Sequence, residues 1–444
     1  MNHGRYAVGD DDHALLAGLV AEAASEVEAR LGPVAGIVLG GSLARGEGTV
    51  WRGAGGPVAL SDIDLAAVLP DAAARDRAAG MAQAAKAGIA RRLGVSFDLG
   101  VYAAEDLARQ GPRPGTLEYR RSGRVLVGPE SLTAGFPALS EGDVPPEEAL
   151  VLLENRGAEL LLAWPGPQGP GAGPEESRHA LAAMYAGMKT VLDGAFALLV
   201  QSGSCPAGVQ ARQAALESWT TVEGRSETLR AVLPDFLSDP GFLSDVEFWG
   251  AMKLAPDPVA IARRLGVSDA ADTVALGRRA WREGARAWTG CYRIVASRQF
   301  GVPGILKVHE LALHAAHRAR PRRRLRRWLE FQRAHAALER SGRARWALRP
   351  GAARLGLLLE GAPEHELAAC VALLIGAWTD PADAPDFRPT VARLFPGAPP
   401  DRFDWDRCRR AAVLLWDTME SGGARTAWDV PDPAPNVRAH AEEG

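Results

Sequence analysis

The pattern of the chain changes once, at Pro145-Pro146, and that change limits the possible folds more than any other feature. Before it, short β-type runs alternate with helical stretches; after it, long helical stretches follow one another and no convincing strand pattern returns. Strands confined to the first third allow one small sheet with helices on it, followed by helices packed on helices. The expectation is an α+β protein with a small sheet domain over residues 1–142, a helical bundle over 143–235 and a further helical domain over 236–444.

Within the first part, His13 to Leu31 has the spacing of an amphipathic helix that stops at Gly32-Pro33, and Val34 to Leu39 is a β-type run that stops at Gly40-Gly41. Val58 to Leu69 is expected as a strand, about Ala72 to Leu93 as a helix, Val95 to Tyr102 as a strand and Arg124 to Val127 as the last strand. Later, Glu147 to Trp164, Glu175 to Ser202 and Pro206 to Val222 are the clearest helices. The segment Trp164 to Glu175, WPGPQGPGAGPE, cannot continue a helix, because its prolines remove donors and its glycines favour open backbone.

The informative run is GIVLGGSLARGEG, Gly36 to Gly48, followed by LSDIDLAAV, Leu60 to Val68. A strand entering Gly40-Gly41-Ser42, with a helix expected to open at Leu43, would present backbone N–H groups to an anion above the turn. Glycine lets a phosphate approach without a Cβ in the way, and the Ser42 hydroxyl adds a donor. On the next strand Asp62 and Asp64 are two residues apart and so share a face, while Ile63 and Leu65 point to the core. Such a pair of hard oxygen ligands suits Mg²⁺ bound together with substrate phosphates. The strand around Asp98 repeats the device, with Val95, Phe97, Leu99 and Val101 on one face and Asp98 on the other. A phosphate cradle with three strand-borne carboxylates is a two-metal phosphoryl-transfer design.

The order Gly41-Ser42, Asp62-Ile63-Asp64, then a separate Asp98 resembles the signature of the DNA polymerase β-like nucleotidyltransferase superfamily. GSLARGE and SDIDL are most similar to its minimal and aminoglycoside-type branch, over residues from about 34 to 130. The resemblance implies that Gly41 and Ser42 hold the triphosphate, that Asp62 and Asp64 bind both metal ions, and that Asp98 binds the catalytic ion or acts as base. The interval from Ser42 to Asp62 is longer than is usual in that family, and the excess, Gly48 to Pro57 with Trp51 and Arg52, resembles a loop insertion.

Two cations join the candidate nucleotide-binding residues. Arg45 is placed to meet either a phosphate or Glu47, and Lys189 shares a helix face with Tyr185. Lysine is scarce here: of 51 basic residues only Lys86, Lys189, Lys253 and Lys307 are lysines. The four cysteines form no CxxC, so neither a zinc ribbon nor a disulfide framework is indicated. His309-Glu310 followed by His314 and His317 lacks the zincin spacing, because the second histidine falls at i+5.

The expected activity is Mg²⁺-dependent transfer of a nucleoside monophosphate from an NTP, ATP first among candidates, to a small hydroxylated or amino-bearing acceptor, with pyrophosphate released. Two Mg²⁺ ions are implied by the resemblance. The alternatives are a protein or RNA end as acceptor, and a catalytically silent nucleotide-binding regulatory module. Nucleic acid is the less favoured partner: the net charge is −3, with −6 over residues 1–150 and +3 beyond. The arginine-rich stretch Arg318 to Arg349, locally +10 with an apolar stripe at Leu325, Trp328 and Leu329, keeps a polyanion in view. An acidic amino terminus and a longest apolar run, near Ala368 to Trp378, too short to span a bilayer lead to the expectation of a soluble, cytoplasmic protein. Oligomeric state is left open by the apolar helix faces.

Overall fold

The computed structural model describes residues 5–53, 55–164, 174–223, 240–302, 306–318, 325, 328–334, 336, 363–379, 385–394 and 404–420. It is an α+β protein with a mixed four-stranded sheet near the amino terminus and helices throughout the carboxy-terminal region. In chain order the first part contains α1 (Asp10–Leu31), β1 (Gly36–Leu39), the single turn α2 (Gly41–Ala44), β2 (Val50–Gly53), β3 (Gly56–Ala59), β4 (Ile63–Leu69), α3 (Ala72–Leu93), β5 (Phe97–Ala103), α4 (Pro114–Ser122) and β6 (Arg124–Val127). The sheet order is β5-β4-β1-β6, with β1 antiparallel to both neighbours and β4 parallel to β5.

Period-two alternation sorts the two faces of this sheet. Ile63, Leu65, Ala67 and Leu69 of β4 join Ile37, Leu39 and Phe97 in a core covered by Leu16, Val20 and Val27 of α1 and Ala78, Ala85 and Ile89 of α3. The even-numbered residues of β4 lie on the opposite face, where Val68 meets Leu107 and Phe136. Asp62 and Asp64 belong to that second face, away from α1 and α3. The α3 helix starts where the Asp71 carboxylate accepts from the Ala74 N–H at 2.7 Å, and it ends at Gly94 in the left-handed conformation.

Three expectations require correction. The segment 48–57 is not a loop insertion: β2 and β3 form an antiparallel hairpin that pairs Trp51 with Val58, and the Trp51 side chain is buried. The single strand expected over Val58 to Leu69 is therefore two strands, β3 and β4, separated at Leu60–Asp62. The helix expected to open at Leu43 is the one turn Gly41–Ala44, capped by Arg45, because the chain reverses at Gly46 with φ +78°.

The second part contains α5 (Glu148–Leu162), α6 (Pro174–Gln201), α7 (Val209–Glu223), α8 (Pro240–Leu254), α9 (Pro258–Leu265), α10 (Thr273–Phe300), α11 (Val308–Arg318), α12 (Pro363–Thr379), α13 (Arg388–Leu394) and α14 (Trp405–Glu420). The central pair is α6 and α10, which approach at glycine: a Cβ on Gly187 would stand 2.2 Å from the Ala280 carbonyl oxygen. A Cβ on Gly284 would stand 2.7 Å from the Gly187 Cα, so the two backbones are in direct contact. Indole N–H groups tie α10 to α5, Trp281 to the Leu160 carbonyl at 2.7 Å and Trp288 to the Leu153 carbonyl at 2.6 Å. Because one apolar core runs through α5, α6, α8, α10 and α12, the helices on either side of the boundary expected at 235/236 share a common interior. The boundary itself falls in residues 224–239, outside those described.

Over Glu176–Gln201, α6 is long and apolar enough by composition to cross a bilayer, and most of it is buried inside this core. The Trp164 to Glu175 segment lies largely outside the described residues, as does most of Arg318 to Arg349. Of the stripe expected to pack in that run, Leu325 and Leu329 are exposed, while among the described residues of the run Phe331 and Ala334 are buried.

Candidate functional site

The sheet face that carries the aspartates meets α5 to α8 across a cleft of about 220 Å³. Gly41, Ser42, Arg45, Asp62, Asp64 and Lys189 all line it, so six of the seven candidate site residues are brought to one place. Asp98 lies one strand further out and does not line the cleft.

The turn is built against Asp64. The Gly40 N–H donates to the Asp64 carbonyl at 2.8 Å, which holds the end of β1 beside the start of β4. Gly41 has φ +63°, and a Cβ there would come within 2.0 Å of Asp64 Oδ2. Glycine is needed at this position both for its backbone conformation and for space. A single helical turn has little macrodipole, so the cradle consists of its first N–H groups and the Ser42 hydroxyl.

The carboxylates are unequally matched with cations. Lys189 Nζ donates to both oxygens of Asp62, at 3.1 and 2.8 Å. Burial alone would raise the Asp62 carboxyl, but the Lys189 ammonium outweighs it and holds Asp62 well below the usual carboxylate range. Lys189 is raised in turn, its burial being outweighed by Asp62. Asp64 has no such partner among the described residues: burial, then the charges of Asp62 and Asp98, push its carboxyl up to about 8. Asp98 faces Asp64 across the parallel register, is 65% exposed, and pairs with Lys86 Nζ at 2.6 Å.

These oxygens suit a divalent cation. Asp64 stands between two like charges that, with burial, push its carboxyl up, which a nearby cation would reverse, and the donors are the hard carboxylate oxygens that Mg²⁺ prefers. Among the described residues no three acidic, histidine or cysteine side chains are gathered closely enough to form a metal site by themselves. Asp62 and Asp64 are the two carboxylates of the aspartate set that line the cleft, where such an ion would also meet oxygens of a bound ligand.

Of the two partners open to Arg45, a phosphate or Glu47, the structure shows Glu47. The Arg45 guanidinium is 2.9 Å from Glu47 and 2.9 Å from Glu118, and despite burial these carboxylates raise its pKa. It begins a ladder of ion pairs rather than standing open to a phosphate. Glu118 also binds Arg212, Arg212 reaches Asp193 at 3.9 Å, and Asp193 binds Arg156 at 2.8 Å. The ladder joins the sheet part of the chain to α5, α6 and α7. Three further links cross the same boundary. Glu47 accepts from the Val209 N–H at 2.7 Å, Thr49 Oγ1 donates to the Lys253 carbonyl at 2.8 Å, and Ser61 Oγ and the Tyr185 hydroxyl are 3.1 Å apart.

Sequence reasoning missed Glu118, Arg156, Asp193, Arg212 and Lys253 as cleft residues. Four of these five lie on helices far along the chain, and arginine is too common here to carry a signal; the rarity of lysine was the one cue that pointed to Lys253. The α4 helix, which supplies Glu118 and packs the Tyr119 ring over Phe136 at 5.2 Å, was also not anticipated.

No family model, no curated protein and no solved structure matches the chain.

Proposed function

We propose that the chain is a Mg²⁺-dependent nucleotidyltransferase of the DNA polymerase β-like type, moving a nucleoside monophosphate from an NTP to a small hydroxylated or amino-bearing acceptor. The observation that carries this reading is the packing of Gly41 directly against the Asp64 carboxylate, with Asp62 beside it and Lys189 on the opposite wall. A turn that can hold phosphates thus sits within contact distance of carboxylates that can hold their counter-ion.

Mg²⁺ bound by Asp62 and Asp64 would supply positive charge to the triphosphate oxygens and help an acceptor hydroxyl lose its proton. The residues of the chain do the rest. The Gly41 and Ser42 N–H groups and the Ser42 hydroxyl orient the phosphates. Lys189 steadies Asp62 and adds a cation on the helical side of the cleft. Asp98, exposed and opposite Asp64, is placed to take a proton from an acceptor arriving at the outer strand. Leu152, Leu192 and Phe196 offer an apolar wall for a base or for the acceptor's carbon skeleton. A cytoplasmic location, where NTP and Mg²⁺ are both plentiful, fits this reading.

The pairing of Asp62 with Lys189 and of Asp98 with Lys86 favours a second reading, a module that binds nucleotide without turnover, because two of the three carboxylates already have counter-charges. Titration of the four NTPs with Mg²⁺, combined with pyrophosphate release over an acceptor panel, separates the two. Metal-dependent NTP binding with release that Asp62→Ala/Asp64→Ala abolishes supports transfer. Binding without release supports the silent module, and no binding overturns both.

A further inference from the structure

Lys253 lies at the end of α8 and is 6% exposed, yet it is one of the residues that line the cleft. Its backbone is fixed by the hydrogen bond from Thr49 Oγ1 to its carbonyl. Its Nζ donates to the Tyr185 hydroxyl at 3.1 Å and stands 5.3 Å from the centre of that ring, and Lys189 Nζ stands 5.7 Å from the same centre. Two ammonium groups, both from residues that line the cleft, therefore flank one buried tyrosine. Because an ammonium only donates, the tyrosine hydroxyl accepts from Lys253 and passes its own proton towards Ser61 Oγ, which also accepts from the Thr49 N–H.

The charge balance around Lys253 is unusual. Arg45, Arg156, Lys189 and Arg212, the other cations of the cleft, each form an ion pair with a carboxylate. Among the described residues none lies within ion-pair distance of Lys253, whose partner is a neutral hydroxyl. With one side-chain hydrogen bond among the described residues and only the longer-range charge of Asp193 to offset it, this enclosed ammonium can still take an anion as a direct partner. The usage of lysine points the same way. A chain that supplies almost all its positive charge as arginine places two of its four lysines in this cleft: Lys189 on Asp62, and Lys253 in the cleft wall. The compact ammonium acts as a point charge that can close on a phosphate oxygen where a planar guanidinium would need a wider slot.

We propose that Lys253 is a ligand for an oligophosphate, namely the pyrophosphate portion of the NTP. The assignment rests on the nucleotidyltransferase reading and deepens it: Ser42 and Lys253 would hold the leaving group from the sheet side and the helical side, while Lys189 stays on Asp62.

The test is calorimetric titration of inorganic pyrophosphate, ATP and AMP with Mg²⁺ into the full-length chain and into Lys253→Met and Lys253→Arg. Loss of one charge-assisted contact predicts pyrophosphate and ATP binding at least about tenfold weaker in Lys253→Met, AMP changed by less than about twofold, and partial recovery in Lys253→Arg. Unchanged pyrophosphate affinity in a folded Lys253→Met, or equal weakening of AMP, overturns the proposal. Should Lys253→Met fail to fold, the Nζ resonances of the wild type decide. With four lysines in the chain the spectrum is simple, and the Lys253 signal must move on adding pyrophosphate. A stationary signal overturns the assignment. Lys253-dependent pyrophosphate binding without turnover would sink the transferase reading and leave this site standing; turnover with Lys253-independent binding would do the reverse.

Discussion

Asp64 and Asp98 are Cα partners in the parallel register of β4 and β5, so their carboxylates leave the sheet on the same face from neighbouring strands. With Asp62 two residues before Asp64, three acids occupy a small area of one sheet face, and two lysines neutralise the outer two of them. The central carboxyl is left to carry the imbalance.

That imbalance gives the metal-free protein a pH signature. The folded value of Asp64, about 8, lies above the unfolded value of about 3.9, so the native state holds a proton that the unfolded chain releases. The contribution of Asp64 to stability is complete below about pH 4 and is lost as pH rises towards 8, with a slope of up to about 1.4 kcal/mol per pH unit. Thermal unfolding from pH 5 to 8 in chelator should show this decline for wild type and a flatter profile for Asp64→Asn. Added Mg²⁺ should flatten the wild-type profile as well. Identical chelator profiles for the two proteins would remove Asp64 as the source.

Gly41→Ala places a methyl where Asp64 Oδ2 now stands and imposes a side chain on φ +63°. Stability should fall by about 1–3 kcal/mol, and nucleotide binding should be lost more completely than stability, since the methyl displaces the carboxylate itself. Melting temperature and NTP affinity, measured on the same preparation, check this. A variant binding NTP like wild type would refute the placement of the turn.

Glu118 is held by Arg45 from its own part of the chain and by Arg212 from α7. Glu118→Gln leaves both guanidiniums enclosed without their shared carboxylate and should cost about 3 kcal/mol. A double-mutant cycle with Arg212→Met should give a coupling of about 1–3 kcal/mol, read from denaturant unfolding. A coupling near zero would mean that the ladder does not join the two parts energetically.

At the contact of α6 and α10, Gly187→Ala drives a methyl into the Ala280 carbonyl. Overpacking at a backbone contact is expected to cost about 2–3 kcal/mol and to move Lys189, two residues along, relative to Asp62. Unfolding midpoints together with NTP affinity report the two effects, and the idea fails if both remain at wild-type values.

Much of this arrangement was legible in the sequence because it depends on local pattern. The even-numbered aspartates of β4 follow from a period of two, and the bounds of α3 and β6 follow from the spacing of apolar residues and the glycines beside them. The hairpin β2–β3 was hidden because Gly53, Gly55, Gly56 and Pro57 weaken any strand signal, and its stability comes from burying Trp51 against the helical part. For Arg45 the sequence offered a phosphate or Glu47, and its second carboxylate, Glu118, escaped notice because it sits on a helix 73 residues away. The helical wall of the cleft is a long-range product: Lys253 meets Tyr185 and Thr49 through packing that no window of sequence contains.

The links from Glu47 to Val209, Thr49 to Lys253, Ser61 to Tyr185 and Glu118 to Arg212 fasten both jaws of the cleft at several points before any ligand arrives. A vice clamped at a fixed gap sorts its contents by size at the entrance, so discrimination between acceptors would be exerted on entry rather than through a closing movement, and turnover would not wait for a hinge. On the proposed reading, acceptor choice would then be a matter of gauge, set by how far apart those four bonds hold the walls.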